Sequence, residues 1–100
     1  MISVGIASLL DLDLKKIIDG IESRCGIKLP REVIEVYLDR EQDLLFIRFR
    51  EPKSIEVGEP LSTKAVVTIF TDEESGKVTA IEVISLEDLA KELGLQLSIL

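Results

Sequence analysis

Two hydrophobic rhythms divide the chain, one of helical period and one of strand period. From Leu14 the apolar residues fall at Leu14, Ile17, Ile18, Ile21 and Cys25. Spacings of three and four put them on one stripe of a helix. Asp11 or Asp13 stands where a cap is needed, Gly26 followed by Ile27 suits a left-handed helix end, and Pro30 prevents continuation. Gly20 within the helix costs up to about 1 kcal/mol relative to Ala, which packing of the stripe outweighs. Residues 3–10 either extend this helix or form a separate turn; the periodicity fits both.

Beyond Pro30 the period changes to two. Strands are predicted at Glu32–Leu38, Leu44–Arg50, Thr63–Thr71 and Lys77–Ile84. Asp39–Asp43 is a polar turn closing the first hairpin, and a loop runs through Pro52, Gly58 and Pro60. Asp72–Gly76 closes the second hairpin, Gly76 supplying the positive φ of a type I turn with a bulge. Alternation collects Ile34, Val36, Leu38, Leu45, Ile47, Phe49, Ala65, Val67, Ile69, Ile81 and Val83 on one face, the expected core. The opposite face is mixed: Glu35, Tyr37, Phe46, Arg48, Val66, Thr68, Phe70, Val78, Glu82 and Ile84. Ser85-Leu-Glu-Asp88 has capping-box spacing and starts a helix presenting Leu86, Leu89, Ala90 and Leu93, which stops at Gly94. The tail Leu95–Leu100 alternates like a short strand. The expectation is one α+β domain over residues 1–100: an antiparallel four-stranded sheet of two β-hairpins, an N-terminal helix and a short C-terminal helix.

A chain of 100 residues buries about 65% of its unfolded surface and needs no disulfide or metal to fold. The net charge of −7 is uneven. Four acids meet four bases in residues 1–30, eight meet six in 31–70, and seven meet two in 71–100. Such a balance disfavours nucleic acid, whose affinity comes from Lys and Arg at phosphates, and an anionic membrane surface. Arg48, Arg50 and Lys64 form only a small basic spot. A basic protein or a cation is the electrostatically permitted partner. The single Cys25 and the absence of His leave no intramolecular disulfide, no Cys–His or Ser–His catalysis and few zinc sites. The lone thiol points to a reducing, cytoplasmic setting. The apolar N-terminal run is too short to cross a membrane and lacks a basic leader region. The 31% of charged residues suits a thermophilic protein.

The hairpin segments carry a recurring pattern: Asp39-Arg-Glu41-Gln-Asp43 leading into Leu-Leu45-Phe46-Ile47, then Val66-Val67 and an acidic Gly turn before Val78-Thr-Ala-Ile81-Glu82-Val83. Over residues 32–90 this resembles the domain of unknown function 2283 family. The Tyr that usually precedes the first Asp is Leu38 here, with Tyr37 displaced by one. The resemblance implies a two-hairpin fold and no activity.

Three features have chemical potential. Asp39, Glu41 and Asp43 open like a calcium loop, but the sixth and twelfth positions are Leu44 and Arg50 instead of Gly and Glu. If both hairpin turns lie at one end of the sheet, Asp72, Glu73 and Glu74 join them, and a divalent cation or a basic partner is served; two solvated turns are the simpler expectation. Glu35 and Glu82 share a face with Arg48, as expected of an exposed cross-strand charge pair. Cys25, at a helix C-terminus, lacks the environment that activates a thiolate. No catalytic residue and no cofactor is assigned.

Assembly is the last feature. Tyr37, Phe46, Val66, Phe70, Val78 and Ile84 make the mixed face more apolar than a solvated surface. Either a helix covers it or a second copy does, and Leu95, Leu97 and Ile99 of the tail suit addition to a sheet edge, in their own chain or in another. The expected function is a non-enzymatic interaction module, self-associating as a homodimer or small homo-oligomer. An antitoxin-like acidic neutraliser of a small basic protein is the alternative, and a metal-dependent hydrolase the second.

Overall fold

The computed structural model describes residues 14–63 and 65–95. Asp11, Asp13, residues 3–10, the Lys64 side chain, Leu97 and Ile99, all invoked above, lie outside the described residues. The fold is α+β: α1 (Leu14–Cys25), β1 (Glu35–Asp39), β2 (Leu44–Arg48), β3 (Glu56–Pro60), β4 (Val66–Asp72), β5 (Val78–Ile84) and α2 (Leu86–Leu93). The sheet has five strands, not four, in the order β1-β2-β5-β4-β3, all antiparallel.

The extra strand, β3, falls where Gly58 and Pro60 read as loop. It is an edge strand, where Pro is tolerated because one side of the ladder needs no donor. Gly58 has a packing reason: a Cβ there would sit 3.0 Å from the Phe70 ring and 3.1 Å from the Thr68 methyl group. The bare backbone lets Phe70 on β4 lie against the edge.

Because β5 inserts beside β2, with Leu44 opposite Ile84 and Arg48 opposite Ala80, the two hairpin turns point to opposite ends of the sheet. The gathering of six acids at one end therefore does not occur.

Both described helices pack on the same side. Ile17, Ile18 and Ile21 of α1 and Leu86 and Leu89 of α2 close a core over Val36, Leu45, Ile47, Val67, Ile81 and Val83. Fully burying an aliphatic side chain of this kind contributes about 1.5–3 kcal/mol, so this face dominates stability. The helices approach closely where a Cβ on Gly20 would lie 2.8 Å from Leu93, and Arg24 and Glu92 bridge them at 3.0 Å. Gly20 is thus a contact point as well as a helix weakness. Gly26, at φ 67°, ends α1 with its N–H on the Glu22 carbonyl at 2.9 Å, the left-handed stop expected there.

Two face assignments change. Ile34 precedes β1 and is 55% exposed, because pairing begins at Glu35. Val78 packs against the core instead of the mixed face. The cause is a register shift: Phe70 pairs with Ala80 but Thr71 pairs with Val78, leaving Thr79 extra. One inserted residue inverts the side-chain alternation beyond it.

The start of α2 also departs from expectation. Ser85 sits in the left-handed region at φ 67° and makes no side-chain cap. Asp43, itself at φ 52°, takes that role from the first hairpin turn. Its carboxylate accepts the Glu87 N–H at 3.1 Å, and its carbonyl accepts the Leu86 N–H at 2.9 Å. A carboxylate also suits the positive end of the helix dipole.

Asp43→Ala should therefore cost about 1 kcal/mol from the lost cap, plus roughly 1 kcal/mol for a left-handed Ala. Ser85→Ala should cost less, and Ser85→Gly should raise stability by about 0.5–1 kcal/mol. Urea denaturation checks this ranking; a larger loss from Ser85→Ala than from Asp43→Ala would contradict the capping assignment.

Candidate functional site

The sheet face away from the helices is a grid of cross-strand neighbours. Its first row runs Glu35, Arg48, Ala80, Phe70 and Gly58 from β1 to β3. The second runs Tyr37, Phe46, Glu82, Thr68 and Pro60, and the third brings Asp39, Leu44, Ile84 and Val66 together.

The first row closes itself. Ala80 is fully buried although neither described helix covers it. Its small side chain on the central strand leaves a trough, across which Arg48 of β2 and Glu56 of β3 meet at 2.9 Å. The Thr79 hydroxyl, inverted by the bulge and fully buried, donates to the same Glu56 oxygen at 2.6 Å. The Arg48 guanidinium stands 5.3 Å from the Phe46 ring centre, and Phe46 and Phe70 approach at 6.4 Å with rings tilted by 55°. Such cation–π and aromatic contacts each contribute about 0.5–1 kcal/mol. The Arg48 hydrogen bond holds the Glu56 carboxyl below its ordinary pKa, burial opposing and Thr79 assisting. Arg48 is raised chiefly by the same hydrogen bond.

Neither described helix covers rows two and three. Val66 and Ile84 are 53% and 40% exposed, while Tyr37, Phe46 and Glu82 are half-buried. Five of the assembly candidates (Tyr37, Phe46, Val66, Phe70 and Ile84) therefore share this face. Leu95 does not join them: it packs against its own core, and its N–H reaches the Ala90 carbonyl at 2.8 Å.

The acidic turns have structural work. Asp39 accepts the Gln42 N–H at 3.1 Å and the Tyr37 hydroxyl at 3.3 Å; the Asp39 charge raises the Tyr37 pKa, with burial and the hydrogen bond adding to it. Asp43 caps α2, and Glu41 is exposed. At the other end buried Asp72 accepts the Ser54 hydroxyl, the Lys53 N–H at 2.8 Å and the Glu74 N–H at 3.1 Å. Those donors, Ser54 foremost, lower its pKa. Among the described residues no three acids or thiols converge as metal ligands. Cys25 is half-buried, and its thiol is raised by burial first and then by Glu92. A cleft lined by Pro30, Arg31, Glu32, Phe49 and Arg50 is no ready anion site, because Arg31 is held by Asp19 and Glu22 at 2.9 and 2.6 Å. Among the described residues no helix is long and apolar enough to cross a membrane.

Glu35 stands directly opposite Arg48 across the β1–β2 pair, on the shared face that alternation gives it, while the hydrogen-bonded ion pair of Arg48 is made with Glu56. The missed residues are Glu56, which sat in apparent loop, and Thr79, whose inversion by a bulge leaves no mark in alternation.

Glu56 and Asp72 both have folded pKa values below the unfolded ones, which are about 4.3 and about 3.9. Their stabilisation is complete above those values and is lost as pH falls through the lower folded ones. Glu56→Gln should cost about 1–2 kcal/mol at neutral pH, and the cost should shrink near pH 3. Thr79→Val should cost about 1 kcal/mol at neutral pH. Denaturant titrations at the two pH values check this; a Glu56→Gln loss independent of pH would contradict the ion-pair account. Comparisons of the chain with protein-family models, with curated proteins and with solved structures gave no match.

Proposed function

We propose that this protein is a non-enzymatic interaction module whose contact surface is the second and third rows of the sheet face away from the helices. One observation carries the reading: both described helices pack on one side of the sheet, while Val66 and Ile84 stay exposed beside half-buried Tyr37 and Phe46 on the other. Aromatic residues ringed by polar ones are the composition of contact surfaces. The acidic turns do not compete with this reading as a catalytic centre, since Asp39, Asp43 and Asp72 accept hydrogen bonds from the chain's own groups. The proposed kinship with the domain of unknown function 2283 family adds a fold and no chemistry.

A photo-crosslinking residue at Val66 should capture a discrete partner in extracts of the native host. The same residue at Lys91, exposed on α2, should not. Ile84→Asp should abolish capture at Val66 while changing stability by less than about 0.5 kcal/mol, as for other exposed positions. Identical capture from Val66 and Lys91 would count against this face as the contact surface.

A further inference from the structure

The open face has a chemically specific centre. β5 is the middle strand of five, and Glu82 lies midway along it, between Phe46 and Thr68 across the sheet and between Ala80 and Ile84 along the strand. Glu82 is half-buried and makes no hydrogen bond or ion pair with any described residue. Its diagonal neighbour Arg48 is committed to Glu56. An apolar partner would strip water from this carboxylate without replacing its hydrogen bonds, a cost that a cation removes.

Resting on the reading above, we infer that the occupant is a single amphipathic segment of another protein that presents a Lys or Arg in the middle of an apolar stripe. Charge and shape both select it. A second copy centred on β5 would set one Glu82 carboxylate against another with no uncommitted cation among the described residues of the face, and like charges across a desolvated contact are strongly unfavourable. The Arg48–Glu56 bridge raises one end of the face, leaving two residue rows free. Those rows span roughly 14 Å from β1 to β4 at the usual strand spacing. That footprint matches one helix, about 10 Å wide, better than a second sheet. The overall charge of −7 steers a basic segment toward it.

Two synthetic helical peptides of equal length test the inference. Both carry a Leu stripe on a Gln background and differ at one central stripe position, Lys in one and Glu in the other. Titrated into the isotopically labelled full chain, the Lys peptide should shift the amides of Phe46, Val66, Glu82 and Ile84 and bind at least about tenfold more tightly than the Glu peptide. Glu82→Gln should erase that preference, whereas Glu73→Gln, an equal charge change on an exposed turn, should preserve it. Equal shifts of these amides by both peptides would overturn the cation requirement and leave the contact face standing. Shifts of the same amides on concentrating the protein alone would make a second copy the occupant, overturning the inference in the same way. Shifts confined to other residues, or none at millimolar peptide, would overturn both the inference and the contact face.

Discussion

A five-stranded sheet has two faces to settle, and both described amphipathic helices are spent on one of them. Ile17, Ile18 and Ile21 of α1 and Leu86 and Leu89 of α2 all close over the same strands. Among the described residues, the other face has only its own side chains by which to be stabilised. At one end it is: Arg48 and Glu56 reach from β2 and β3 across the intervening strands and meet above Ala80. The bridge ties an edge strand to the interior of the sheet and covers backbone that would otherwise be wet. At the other end nothing comparable exists among the described residues, and apolar side chains face outward.

The bridge depends on three local departures from regularity. Ala80 must be small, or the two charged chains could not cross β5. Thr79 must be the extra residue of a bulge, which turns its hydroxyl toward Glu56 and sends Val78 into the core. Gly58 must lack a side chain so that Phe70 can lie against β3. The Arg48 guanidinium then stands by Phe46, which joins the polar bridge to the apolar strip. The same economy governs the first turn, where Asp43 serves both its hairpin and the start of α2.

Much of this was legible in the residues. The helical stripe from Leu14, the apolar face from Val36 to Val83, both hairpin turns and the left-handed glycines at 26 and 76 follow from period and turn chemistry. What escaped was non-local. β3 reads as loop because Gly58 and Pro60 weaken strand propensity, and its reason for existing is a close approach by Phe70 on another strand. Ser85 and Asp88 spell a cap, yet the cap comes from Asp43, 42 positions earlier, a pairing that only tertiary structure creates. The bulge at Thr79 obeys no alternation rule, so the turn of its hydroxyl toward Glu56 left no mark in the residues, and Glu56 itself was hidden in the segment read as loop. The excess of apolar residues on the second face was visible; that neither described helix covers it was not.

The account rests on that face being open in solution. A neutral paramagnetic relaxation agent, added to the methyl-labelled full chain from micromolar to millimolar protein, measures it directly. The account predicts strong relaxation of the Val66 and Ile84 methyl groups at every protein concentration, with Ile81 and Val83 protected. Protection of Val66 and Ile84 in dilute protein would mean that the chain covers its own face, and the account would be contradicted.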